Sequence, residues 1–180
     1  MIEGIAAFVA WLGAALLVLS DARRGLALGI ALAASGIAIV VWSTSGPTEA
    51  ALIAIGGAVA ATRRLMIGND AWGVMPPGST PRLILCIAGG LLALWIGLGV
   101  TGGHSAALRF TVLVTPGLAG ARVLSSDDAP AQLSSLAVMA LAVAAAAGLS
   151  SEAPGPWPYA AAALIAAGSG WLPLVRLRAA

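Results

Sequence analysis

Lysine is absent from this chain, and cysteine and histidine occur once each, as Cys86 and His104. One cysteine cannot close an intrachain disulfide. A single histidine with a single cysteine cannot assemble a multi-histidine or thiolate metal centre, nor a haem held by two histidines. Charge of either sign is scarce: 9% of the 180 residues, where a soluble domain carries about a quarter. So little polar surface cannot clothe a water-soluble core. There is no Gly-rich phosphate loop, no GxSxG, no HExxH and no pair of acids at hydrolase spacing. No carboxylate sits midway along an apolar run, so a buried proton relay has no members. No cofactor and no metal are expected, and catalysis is the least favoured class. The net charge of +2 comes from arginines at the ends of apolar runs. No basic stripe is interleaved with aromatics, so nucleic acid is not an expected partner.

What is present is apolar sequence, 60% of the chain, with 23 glycines and abundant alanine. Seven apolar runs stand out, at about 2–20, 25–43, 48–62, 83–100, 105–121, 131–149 and 159–175. Each is near the roughly 17–25 residues that a helix needs to cross a bilayer. All nine basic residues are arginine. If the runs cross alternately, Arg23, Arg24, Arg63, Arg64, Arg82, Arg122, Arg176 and Arg178 all fall on one face and the opposite loops hold none. That is the positive-inside pattern, with the N-terminus outside and the C-terminus cytoplasmic. The third run is the shortest, yet removing it would place Arg63, Arg64 and Arg82 opposite Arg23 and Arg24. The N-terminus has no basic stretch before its first apolar run, which therefore reads as a retained span.

The expectation is an all-α integral membrane protein. A single domain over 1–180 forms a bundle of about seven transmembrane helices with short loops. The lack of lysine suggests a GC-rich bacterial genome, hence the bacterial cytoplasmic (inner) membrane. Trp42 and Trp157 sit at predicted outer ends and Trp72 and Trp171 near the inner face, as an aromatic belt would place them. Trp11 and Trp95 lie mid-span and must face the bundle or lipid. The first three runs overlay the next three with Pro47 on Pro130, as an inverted repeat would, although the match rests on small residues common to every run.

Arg109 is the one charge within a run, about 6 Å below the outer end of the fifth helix at 1.5 Å per residue. It shares a helical face with Val112, Leu113, Pro116, Gly117 and Gly120, and the glycines suggest that this face packs on other helices. An intramembrane arginine marks a candidate site; the alternative is a side chain that reaches the headgroups. Thr115, Pro116 and Gly117 should kink or break that helix, since proline removes a backbone hydrogen bond. Glu49, in the first turn of the third helix, lies at the level of Arg109 and could pair with it, or simply complement the helix dipole. Glu3 and Glu152 read as solvated, and Asp127 and Asp128 as caps for the sixth helix. Gly25 and Gly29, then Gly89, Ala93 and Gly97, then Gly117 and Ala121, form small-residue rows suited to close helix contact.

Two functions follow. The first is a non-catalytic subunit or scaffold in a membrane complex, packing against other membrane subunits or a second copy, with the lipid bilayer as its surroundings. The second is a small transporter or channel for an anionic or zwitterionic solute, using Arg109, Glu49 and the segment Thr115, Pro116 and Gly117.

Overall fold

The computed structural model describes residues 1–67, 79–100, 105–150 and 155–171. Seven α-helices account for almost all of them: α1 Ile2–Leu19, α2 Arg23–Thr44, α3 Pro47–Met66, α4 Thr80–Trp95, α5 Ala106–Ser125, α6 Ala129–Ala145 and α7 Trp157–Ser169. A π-helical turn, Ile96–Val100, prolongs α4, and a 3-10 turn, Ala146–Leu149, prolongs α6. Local chemistry sets the starts. Proline occupies the first turn of α3, α4, α6 and α7, where its missing N–H has no partner to lose. Ser105 caps α5 by accepting from Leu108 N at 3.4 Å, and Asp128 caps α6 by accepting from Ala131 N at 3.3 Å. Both satisfy amides that a helix start leaves open.

Five of these helices, α1, α2, α4 with its π turn, α5 and α6 with its 3-10 turn, are long and apolar enough to cross a membrane. That is compatible with a multi-pass membrane protein. The other two of the seven expected spans, α3 and α7, are not among them. Helix α3 is longer than expected, 20 residues, but it carries Glu49 in its first turn and Arg63 and Arg64 in its last. Only residues 50–62 between them are free of charge, about 20 Å of helix against a hydrocarbon core of about 30 Å. Helix α7 has 13 residues, and the remainder of the run expected to reach 175, with Arg176 and Arg178, lies outside the described residues.

The core is built from small side chains. Helices α1, α2 and α3 stack side by side, α5 and α6 close over them, and α7 rests on α3 and α6. A methyl group at Gly36 would lie 2.5 Å from both Ala10 N and Ala6 O, so α1 and α2 touch backbone to backbone there. Gly13 meets Ala33 N in the same way, and Gly57 abuts the Ala34 methyl. Of the expected small-residue rows, Gly29 does pack against α1, at Gly13 O and Leu17, whereas nothing lies within 4 Å of a methyl placed at Gly117. The tightest seam uses Gly13 and Gly36, which no row singled out.

Helix α4 is peripheral. Only Cys86, Gly90 and Ala93 are buried, a stripe at four- and three-residue spacing. Ile84, Leu91, Trp95 and Leu98 are 60–66% exposed. Trp11 points from α1 toward this helix and donates from Nε1 to Cys86 O at 3.1 Å, while Trp95 faces outward.

Candidate functional site

Because the helices alternate in direction, the chain has two chemically different ends. Arg23, Arg24, Arg63, Arg64, Arg82 and Arg122 gather at one, as contacts among α1, α3, α4 and α5 attest: Arg82 and Arg122 both reach Asp21, and Arg64 lies in the field of Arg23 and Asp128. Glu3, Glu49, Ser105, Arg109 and Tyr159 occupy the opposite end. There Ser105 Oγ donates to Glu3 Oε2 at 2.8 Å, and the hydroxyls of Ser45 and Tyr159 are 2.8 Å apart. Glu3, expected to be solvated, instead ties the start of α1 to the start of α5.

Arg109 is half-buried in the first turn of α5 and donates from Nε to Gly97 O at 3.2 Å. Gly97 lies in the π turn that prolongs α4. The guanidinium therefore clamps the end of α4 onto α5. Its Nη1 is buried without a hydrogen-bond partner. Glu49 lies elsewhere at this end: its carboxylate folds back over Gly46, which has a φ of +130°, and it adds negative potential at Tyr159. No ion pair joins Glu49 to Arg109 among the described residues.

The face of α5 that carries Arg109 is not the packed one. Leu113 is 41% exposed, Gly117 is exposed, and Val112, Pro116 and Gly120 are only half-buried. The buried face is Leu108, Thr111, Thr115, Leu118, Ala119 and Arg122. Glycine misled the expectation because a Gly-rich chain spends some glycines on outward positions. Nor is the helix broken: α5 runs unbroken from Ala106 to Ser125 with Pro116 inside it. Proline has no N–H to offer Val112 O, but the turns on either side continue. Thr115 is fully buried and its Oγ1 has no partner. So the expected site residues are spread out: Arg109 and Thr115 on different faces of α5, Pro116 and Gly117 toward the outside, Glu49 on a separate helix.

The densest polar arrangement is at the arginine-rich end, and sequence reasoning passed over its centre. Asp21, in the turn between α1 and α2, accepts from Arg122 Nη2, and from Arg82 Nη1 at 3.2 and 3.3 Å. Arg122 is 0% exposed and also donates to Ser20 O at 3.2 Å, while its Nε and Nη1 have no partner. Burial alone would raise the Asp21 carboxyl, but the hydrogen bonds and charges of Arg122 and Arg82 outweigh it and hold the group below its usual value of 3.8. Beside this, Gln132 Nε2 donates to Ser126 O, bracing the turn from α5 to α6. The signal available in the sequence was Asp21 itself, an acid set against a cluster of arginines, but its partners lie on other helices.

A second feature at this end is a cavity of about 290 Å³ between α2, α3, α6 and the end of α7, lined in part by Arg63, Arg64, Ser134 and Trp171. The Arg63 guanidinium carbon sits 3.9 Å from the centre of the Trp171 ring. Among the described residues no three His, Cys, Asp or Glu side chains converge on a point where a metal could bind. His104, Glu152 and Trp72 lie outside the described residues. Comparison of the chain with protein-family models, with curated proteins and with solved structures gives no match.

Proposed function

We propose that this chain is a non-catalytic multi-pass subunit or scaffold of a bacterial cytoplasmic-membrane complex, with its N-terminus outside and its arginine-rich end in the cytoplasm. The carrying observation is α4. It is apolar nearly all round and joined to the body by the narrow stripe Cys86, Gly90 and Ala93. Three polar ties fix it at its start, middle and end: Arg82 to Asp21, Trp11 to Cys86 O, and Arg109 to Gly97 O. A helix displayed in this way offers a long apolar flank to a neighbouring membrane subunit or a second copy. Several buried hydroxyls, those of Thr111, Ser134 and Ser169, are spent on carbonyls of their own helices, and the buried Arg122 ties α5 to the turn between α1 and α2, which suits a structural part better than a reaction centre.

The test is site-specific photocrosslinking in native membranes from a benzophenone side chain at Leu91. A discrete adduct with another polypeptide, or with a second copy, supports the reading; labelling of lipid alone overturns it.

A small transporter or channel for an anionic or zwitterionic solute is the second reading. The unpartnered Nη1 of Arg109 and Oγ1 of Thr115 favour it; the unbroken α5 and the bond to Gly97 O weigh against it. Solute uptake that depends on the chain and is lost in Arg109→Ala would restore this alternative.

A further inference from the structure

We propose that the cavity between α2, α3, α6 and α7 at the arginine-rich end is a binding site for a phosphate group, held by Arg63 and Arg64. Both side chains come from the last turn of α3, next to each other in sequence, and both line the same space. They reach it differently. Arg63 is stacked on Trp171, and its stem packs against the backbone of Gly170, where a methyl group would come within 2.9 Å of Arg63 Cβ. A guanidinium lying flat on an indole is fixed in plane while its N–H edges remain free to donate.

Neither arginine has a protein hydrogen bond or ion pair among the described residues, and the Nε atoms of both are buried without a partner. A guanidinium with a shielded, unsatisfied N–H lacks what water or an acceptor would give it. Asp128, the acid whose field Arg64 feels, instead caps α6 through Ala131 N, and Arg23 nearby adds a further positive charge. Among the described residues the site is therefore short of one anion.

Size and lining narrow the anion. At about 290 Å³ the cavity is at the small end of ligand pockets, roughly 300–1,000 Å³, large enough for a headgroup and small for a peptide. Ser134 Oγ and Ser169 Oγ face it but give their protons to Pro130 O at 2.7 Å and Ala166 O at 2.8 Å. Donation to a ligand thus falls to the guanidinium forks, which match the oxygens of a phosphate in pairs. Ile30, Ala60 and Leu133 line the rest, apolar wall that suits the glycerol and first methylenes of a phospholipid as well as empty space beside a free ion. Basic pockets between transmembrane helices hold acidic headgroups in the same manner.

The experiment uses the full chain purified in a neutral detergent, with thermal unfolding followed on titration with phosphatidylglycerol, phosphatidylcholine or inorganic phosphate. Phosphatidylglycerol or inorganic phosphate should raise the midpoint and phosphatidylcholine should not. A rise with phosphatidylglycerol alone identifies a lipid headgroup, and an equal rise with inorganic phosphate identifies the free ion. In R63Q/R64Q the apparent affinity should fall about tenfold or more, and in R24Q, which alters a charge at the same end but outside the cavity, it should hold. R63K/R64K keeps the charge without the fork and should bind weakly; it serves if the glutamine pair does not fold. No rise with either phosphate source, an equal rise with phosphatidylcholine, or an equal loss in R24Q would overturn the proposal.

Discussion

The carboxylate of Asp21, in the short turn between α1 and α2, holds the guanidinium of Arg122, 101 residues further along the chain and fully buried in the last turn of α5. Arg82 reaches the same carboxylate from the start of α4. One acid thus joins three helices that are distant in sequence. Removing it strands a buried cation, which costs far more than the pair contributes. Asp21→Ala should lower stability by about 2 kcal/mol, less than the roughly 3–5 kcal/mol of a wholly enclosed pair, because the Asp21 side chain is 43% exposed. Adding Arg122→Met should recover most of the loss, since an apolar side chain of similar volume needs no partner. Thermal unfolding of the single and double variants in detergent decides it: a double variant no better than the single contradicts the stranded-charge account.

The same carboxylate sets an acid limit. Its value in the folded chain is below the usual 3.8, so its stabilising contribution is complete above that pH and vanishes as the pH falls through the folded value. The difference in unfolding midpoint between the native chain and Asp21→Asn should be constant above about pH 5 and shrink below about pH 4. A difference that persists undiminished to pH 2 would exclude ionisation of Asp21 as its source.

Arg109 is predicted to act on α4 from across the interface. Arg109→Met leaves Gly97 O without its donor, a loss of about 1–2 kcal/mol, expressed locally. Amide hydrogen exchange over residues 96–100 should rise severalfold while α2 and α3 keep their protection. Uniform loosening of the whole chain would argue against a clamp.

Two glycine-to-alanine changes should have opposite signs. At Gly36 the added methyl meets the backbone of α1 at 2.5 Å, and overpacking of this kind costs about 1–3 kcal/mol. At Gly117 nothing lies within 4 Å, so the gain in helix propensity, about 0.5–1 kcal/mol, should remain. Equal effects at the two positions would mean that the α1–α2 seam is looser than it looks.

Orientation can be read with thiols. Cys86 is 1% exposed and gives little background. A cysteine at Thr48 should react with an impermeant maleimide in intact cells, and one at Leu65 only after the membrane is opened. The reverse pattern would invert the assignment.

Much of this architecture could be read from the chain before any coordinates. Arginine spacing brought six guanidinium groups to one end, because charge that cannot cross lipid accumulates where helices turn. The helix starts at Pro47 and Asp128 were equally legible, being local. What could not be read was anything that depends on which face of one helix meets which other helix. Asp21 drew no notice, since neither Arg122 nor Arg82, its partners on other helices, is visible from position 21. Gly117 looked like a contact and is not; Gly13 and Gly36 looked ordinary and form the closest seam. In a chain so rich in glycine and alanine, every helix has a small-residue row, and only packing shows which rows are used. At Thr115, Pro116 and Gly117, where a kink or a break was expected, the helix is unbroken: neighbouring turns and flanking helices carry it through one missing hydrogen bond.

The seam at Gly13, Gly36 and Gly57 has a mechanical consequence. At Gly13 and Gly36 the backbones of α1 and α2 abut with no side chain between them, and at Gly57 only the Ala34 methyl stands between α3 and α2, so three rods behave as one beam whose members cannot slide past one another without colliding. Deformation is left to the lightly fastened rod alongside, α4, whose few pegs are single hydrogen bonds and one exposed ion pair. Force arriving from a neighbour in the bilayer would pivot that rod against the beam, and the pegs at Asp21 and Gly97 would be the first to give.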